Sequence, residues 1–427
     1  MDQSYFLSVI EKNVHQPVAQ LFIQIFIIIC VAKLLGYAFK KLNHPSVLGE
    51  ILAGILLGPS LFGHFFPAAS QAIFPVPSLM NIQILAQLGL IFFIFIVGLQ
   101  LNTSLIRNKA KEVAIIGNFN IITPFVSRVL LAFYLYADFA PKGVSFVSFA
   151  LFIGISMCIT ALPVLVRIMQ EKPQFTAHLS DLIVACAATD DLIAWCLLAI
   201  IIGFVKTGTL ISAIYTILFA IVFLIFMLKI LKPWLNKMAI KNNNTLSAGF
   251  MSLLFLVLIT STLITNVLGL HALFGALIAG ITMPKNEALR TQLIHKIEDL
   301  TIVILLPLFF VINGLRTEIG LIDSPKLIII TAFITFVAVF GKIVGSAIPA
   351  KIVGFNWKDS FTMGVLMNTR GLMELVVLNI GFEMGIFTKE LFTMFVFMAL
   401  ITTFMTSPLL HFVHFLFQPK KSGETGN

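Results

Sequence analysis

The chain reads as a succession of long apolar runs joined by short polar connectors. A helix needs about 20 predominantly apolar residues to cross about 30 Å of hydrocarbon. Thirteen runs approach that length: 17–39, 45–62, 81–100, 112–137, 145–169, 180–205, 208–231, 246–267, 270–284, 300–319, 327–350, 360–386 and 391–416. The second, ninth and tenth are short or carry internal Pro or Gly. The pattern predicts an all-α polytopic membrane protein whose transmembrane helices match these runs.

The runs also repeat. Leu52-Ala53-Gly54-Ile55, followed by Pro59, is matched by Ile278-Ala279-Gly280-Ile281, followed by Pro284. Phe95-Ile96-Val97-Gly98-Leu99-Gln100 is matched by Phe310-Val311-Ile312-Asn313-Gly314-Leu315-Arg316. Each pair lies seven spans apart, and an odd offset means that matching helices run in opposite directions. The expectation is a single membrane domain with inverted repeats over 17–205 and 246–416, joined by a linker helix over 208–231. Inverted repeats are common in secondary transporters, whose sites lie near mid-membrane at broken helices.

Composition agrees with this picture. Hydrophobic residues make up 59% of 427 and charged residues only 11%, with a mean hydropathy of +1.03. Soluble domains carry about 25% charged residues, and a single soluble core stops growing near 250–300 residues. The net charge of +9 is not a nucleic-acid signal, because the basic residues sit in short connectors rather than on one soluble face. With the N-terminus outside, six of the 28 lysines and arginines fall in outer segments: Lys12, Lys142, Lys206, Arg316, Lys326 and Lys389. Four lie within spans (Lys33, Arg128, Lys342 and Arg370), and the other 18 fall inside. That is the positive-inside pattern, with the C-terminus cytoplasmic. The N-terminus lacks the features of a cleaved signal peptide, so the first run is expected to remain as an anchor. Cys30, Cys158, Cys186 and Cys196 lie in apolar runs without metal-ligand spacing. They read as small buried hydrophobes, and no cofactor is expected.

Charge is expensive at the bilayer centre, about 2.5–3.5 kcal/mol per group on insertion scales, so each charge there is a functional candidate. The sixth span holds Thr189-Asp190-Asp191. Successive helical residues point about 100° apart, so one carboxylate can meet a protein partner while the other faces a water-filled cavity. A titrating carboxylate can exchange a proton for a hard cation such as Na⁺. The alternative is that both aspartates only neutralise buried basic groups. Lys342 lies too deep in the eleventh span to snorkel easily and needs a carboxylate, either as a static salt bridge or as a proton-carrying partner. In the twelfth span Arg370 and Glu374 are spaced to pair on one helix face, and Asn368 with Gly371 suggests a helix interruption. Ser156, Thr160 and Pro163 suggest a similar break in the fifth span, because Pro163 cannot bond the carbonyl of Ile159. For Arg370 and Glu374 the alternative role is to support the break. Arg128 either pairs with a carboxylate or sits near the outer surface, Glu50 sits at the cytoplasmic mouth of span 2, and His271 is a satisfied polar group at a helix start.

These residues carry a family resemblance. Thr189-Asp190-Asp191, Gly341-Lys342, Asn368-Thr369-Arg370-Gly371-Leu372-Met373-Glu374-Leu375-Val376 and the segment from Pro45 to Pro59 are similar to motifs of the second monovalent cation–proton antiporter family. The likeness spans residues 20–415. It implies a homodimer in the lipid bilayer, with a moving ion-binding core from spans 4–6 and 11–13 and a dimer scaffold from the rest. It implies that Asp191 binds the cation or proton, that Asp190 pairs with Lys342, and that exchange is electrogenic. Thr160, Ser156 and Thr189 join the cation or proton site by the same reading, while Pro163, Asn368, Arg370, Gly371 and Glu374 support the broken helices. Potassium-efflux relatives carry a cytosolic nucleotide-binding domain, which is not expected here. The expected function is exchange of protons for Na⁺, or for Li⁺ or K⁺, rather than enzymatic catalysis, in a bacterial inner membrane. The alternatives are a K⁺/H⁺ antiporter or membrane subunit of a potassium efflux system, a sodium-coupled symporter, an ion channel, and an intramembrane aspartyl protease. The protease reading suffers because its two aspartates come from separate helices.

Overall fold

A computed structural model describes residues 16–42, 44, 46–100, 110–162, 165, 168–169, 176–207, 210–242, 245–268 and 271–417. The described residues form helices joined by short connectors, with no strand among them. Ten helical stretches are long and apolar enough to cross a membrane. The fifth, ninth and twelfth expected spans are not among the ten. The fifth is represented by the short helix Phe146–Ser156, the ninth by Ala272–Thr282, and the twelfth by two short helices, Trp357–Met367 and Leu372–Glu383. Hydropathy registers an apolar run whether or not the helix within it is continuous.

The chain divides into two compact units. The first comprises residues 1–102 and 195–323. Its main helices are α1 (Pro17–Lys41), α2 (Ser46–Leu57), α3 (Val76–Gln100), α4 (Ala248–Val267), α5 (Ala272–Thr282) and α6 (Leu306–Leu315). Lipid is as apolar as a leucine side chain, so helices in a membrane associate through close packing at small residues. Here the closest approaches fall on the glycines of the repeated motifs. A Cβ at Gly54 of α2 would lie 2.3 Å from Val311 O and 2.8 Å from Gly314 Cα of α6. A Cβ at Gly280 of α5 would lie 2.3 Å from Phe95 O and 2.9 Å from Gly98 Cα of α3. Gly54 and Gly280 occupy matching places in the two motif copies, as do Gly98 and Gly314. The two crossings therefore pair each copy's first glycine with the other copy's second. Glu50 is buried on α2 and pairs with Lys33 of α1 at 3.6 Å, while His271 caps α5 by accepting from Leu273 N.

The second unit comprises residues 103–194 and 324–427. It contains α7 (Ala110–Phe139), α8 (Phe146–Ser156), α9 (Ala177–Thr207) up to Ala194, α10 (Pro325–Ile352), α11 (Trp357–Met367), α12 (Leu372–Glu383) and α13 (Lys389–Leu416). An aromatic cluster packs its core: Phe387 meets Phe149, Phe152 and Phe395 edge-on, with centroids 5.5–6.4 Å apart. Outward faces are apolar as well, with Phe133, Ile329 and Phe336 exposed. That explains one correction. Cys158 and Cys186 are buried, but Cys30 is exposed and Cys196 half-buried. In a membrane protein an apolar run does not imply an interior position.

Candidate ion-binding site at two crossed helix breaks

Two interruptions meet in the second unit. Helix α8 ends at Ser156, well before Pro163, and Ile159–Ala161 are non-helical. Pro163 itself lies outside the described residues. Helix α11 ends at Met367 and α12 begins at Leu372. A broken helix leaves backbone groups unbonded, and these need partners away from water. The breaks supply each other: Ala161 N donates to Thr369 O at 3.0 Å, and Thr160 Oγ1 donates to Met367 O at 3.0 Å. Arg370 donates to Met157 O, and Thr403 Oγ1 donates to Arg370 O at 2.9 Å.

Lys342, fully buried on α10, reaches into this crossing. Its ammonium group donates to Cys158 O at 2.6 Å, Asn120 O at 3.2 Å and Asp190 Oδ2 at 3.1 Å. An ammonium has three donors, so Lys342 is fully satisfied. Asp190 Oδ2 also faces the donors Thr160 Oγ1, at 3.2 Å, and Asn120 Nδ2. Ser346 in turn donates to Asn120 Oδ1, which orients that amide. Asp190 is thus held through Oδ2 by Lys342 and Asn120, with the single Thr160 hydrogen shared between that oxygen and Met367 O.

Asp191 is different. It is 3% exposed and neither of its carboxylate oxygens has a protein partner. An isolated buried carboxylate is far too costly to stand charged and alone. A proton or a cation has to balance it. The two aspartates are adjacent in sequence, yet helical geometry gives Asp190 partners on Oδ2, though none on Oδ1, and Asp191 partners on neither oxygen.

The remaining candidates divide. Thr160 joins the network. Thr189 Oγ1 bonds its own helix at Ala185 O, 2.8 Å away, and Ser156 Oγ bonds Ile153 O at 3.2 Å, so neither hydroxyl is turned to the aspartates. Arg370 pairs with Glu374 at 3.0 Å, both buried, and Gly371 is the last residue before α12. Asn368 is fully buried at the break. Arg128 needs correction: it is fully buried, and among the described residues it has no carboxylate partner. Its Nη2 donates to Ala338 O at 2.8 Å, and Nη1 lies 3.9 Å from Cys158 Sγ. A guanidinium can be held by backbone oxygen, which no side-chain pattern reveals.

The family model for the transmembrane part of sodium/hydrogen exchangers matches residues 26–414. The chain belongs to the sodium/hydrogen exchanger family. Among its relatives, the Na(+)/H(+) antiporter NhaS4 of Synechocystis sp. is 40% identical over 390 residues, covering 90% of this chain and 95% of that protein. The K(+)/H(+) antiporter 1 of Saccharomyces cerevisiae is 31% identical over 413 residues, and the chain spans 47% of its length. Among solved structures, the sodium proton antiporter MjNhaP1 from Methanocaldococcus jannaschii superposes with a TM-score of 0.69 over 92% of this chain and 98% of that one. At 14% identity, that likeness speaks for the fold. In this exchanger, sequence reasoning missed Asn120, Cys158 and Ser346. All three are neutral, and only the side-chain polarity of Asn120 and Ser346 within apolar runs hinted at a role.

Proposed function

We propose that this exchanger is a secondary antiporter that trades protons for Na⁺, with Li⁺ or K⁺ as further substrates, by alternating access. The observation that carries the reading is the contrast between Asp190, held by Lys342, and Asp191, buried with both oxygens unpartnered. Proton and cation compete for Asp191, because the buried site holds one positive charge at a time. Exchange is electrogenic if Lys342 also gives up its proton while a cation occupies the neighbouring carboxylate. The 40% identity to a protein named an Na(+)/H(+) antiporter supports Na⁺ as substrate. The likeness to a K(+)/H(+) antiporter supports K⁺ as the second reading.

In this reading the unit containing the crossed breaks is the moving core, and the glycine-packed unit is the scaffold of a homodimer. The support is that the second unit takes in spans 4, 5 and 11–13 with the first half of span 6, to Ala194. The scarcity of basic residues in alternate connectors, six against 18, supports an outside N-terminus and a cytoplasmic C-terminus.

The test is a vesicle assay with the full chain reconstituted. Added Na⁺ collapses an imposed pH gradient, Asp191→Asn abolishes the collapse, and Lys342→Gln makes the remaining exchange insensitive to membrane potential. Sustained exchange by Asp191→Asn removes that residue from the mechanism. Unaltered charge movement in Lys342→Gln reduces the lysine to a structural role.

A further inference from the structure

Among the described residues of the second unit, two buried acid or amide side chains lack a protein partner on both polar atoms: Asp191 and Asn368. Asn368 is completely buried. Its backbone N–H is bonded within α11, to Gly364 O and Val365 O at 3.2 Å each, so only the side-chain amide is left over. A carboxylate can lose its charge by taking a proton, but a primary amide has no such route, and burying it unbonded is costly. Several backbone groups of the break, Met367 O, Thr369 O and Arg370 O among them, are bonded without this amide.

Two observations bring the Asn368 backbone close to the aspartates. Thr160 Oγ1 lies 3.2 Å from Asp190 Oδ2 and 3.0 Å from Met367 O. One hydroxyl thus touches the sequence neighbour of Asp191 and the sequence neighbour of Asn368. In addition, Asn368 is the C-cap of α11, and a helix C-terminus carries partial negative charge that favours a cation.

We propose that Asn368 is a ligand of the transported cation and determines which cation is accepted, its amide oxygen completing the shell that Asp191 begins. The proposal rests on the antiporter reading. Alkali cations take hard oxygen ligands, and a neutral carbonyl oxygen adds coordination without adding a charge to be neutralised. The carboxylate supplies charge and exchanges with a proton. The amide has no charge to exchange, so its position bears on ion size instead. When Asp191 is protonated, the same amide can accept from its O–H.

The experiment compares wild type with Asn368→Leu, close in size but apolar, and Asn368→Asp, close in shape. Half-saturating concentrations and maximal rates for Na⁺, Li⁺ and K⁺ are read in proteoliposomes at one pH. Stabilisation of the purified protein against heat by Na⁺ is read separately, as a binding measure that needs no transport. The expected result for Asn368→Leu is a rise in the Na⁺ half-saturating concentration of about tenfold. The ratios among the three cations change, and the stabilisation by Na⁺ shrinks. A residue that holds only water or only props the break leaves those ratios unchanged, and that result overturns the proposal. An equal fall in maximal rate for all three cations at unchanged half-saturation overturns it too. If Asn368→Leu does not fold, Asn368→Asp decides: altered ratios support the ligand role and wild-type ratios refute it. If wild type exchanges no cation for protons, the antiporter reading fails. The Na⁺ stabilisation of wild type against Asn368→Asp then settles the ligand claim separately.

Discussion

Both units bring helices from the two halves of the chain into close contact, but they do so with opposite chemistry. In the first unit, Gly54 against Gly314 and Gly98 against Gly280 leave no room for a side chain, and the backbones themselves touch. In the second, the helices stop at Ser156 and Met367, and the gap is occupied by Lys342, Asp190, Thr160 and Arg370. A glycine crossing has one good arrangement and is stiff. A crossing made from unwound backbone and movable charges has more than one way to satisfy its groups, depending on what the charges hold. Rigid packing and exchangeable bonding are thus separated between the units.

Removing a charge from the second crossing is the harshest way to break this comparison. Asp190→Ala leaves Lys342 buried without its anion and takes the acceptor from Thr160 and Asn120. Losing one partner of a buried pair costs about 3–5 kcal/mol, whereas replacing both with apolar groups is often near neutral. Asp190→Ala is therefore expected to lower the unfolding temperature of the purified protein sharply, and Asp190→Ala with Lys342→Met to recover much of the loss. A double variant no more stable than the single one shows that Lys342 is held by the carbonyls of Asn120 and Cys158 rather than by the aspartate.

Adding a side chain to the first crossing comes next. At Gly280 a new Cβ meets Phe95 O and Gly98 Cα, which are backbone atoms and cannot swing aside. Overpacking of this kind costs about 1–3 kcal/mol. Gly249 in α4 has nothing within 4 Å of an added Cβ, and Ala is favoured over Gly in a helix by up to about 1 kcal/mol. Gly280→Ala should destabilise while Gly249→Ala is neutral or stabilising, as read by thermal unfolding in detergent. Equal effects at both sites contradict the stiff crossing.

How much of this was open to sequence reading depends on the kind of signal. Asp190, Asp191, Lys342 and Arg370 were conspicuous because charge is rare in apolar runs. Asn368 and Gly371 marked the twelfth-span break, since polar residues with glycine interrupt an otherwise apolar helix. The matched glycines were visible as motifs, but their cross-pairing was not, because sequence offset says nothing about which helix lies against which. Arg128 was visible as a charge and hidden as to partner, since a backbone carbonyl belongs to every residue alike. Asn120 and Ser346 act only by aligning Asp190 from other helices, a tertiary relation with no local signature. Pro163 suggested a break in the fifth span, yet α8 already ends at Ser156.

The finest distinction is between two threonines that the sequence placed together. Thr160 and Thr189 are both near the aspartates along the chain or in space, and each hydroxyl has one hydrogen to donate. Thr189 donates to Ala185 O within its own helix, a bond it keeps whatever the site holds. Thr160 stands between Asp190 Oδ2 and Met367 O, so its bond can follow a change in the carboxylate. A typical net hydrogen bond is worth about 0.5–1.5 kcal/mol, or roughly twofold to tenfold in an equilibrium constant. Thr160→Val should therefore raise the cation concentration for half-maximal exchange within that range, with Thr189→Val close to wild type. The same vesicle assay reads both. A larger effect at Thr189 means that its hydroxyl turns from Ala185 towards the site during transport, and that helix α9 contributes a ligand which its present hydrogen bond conceals.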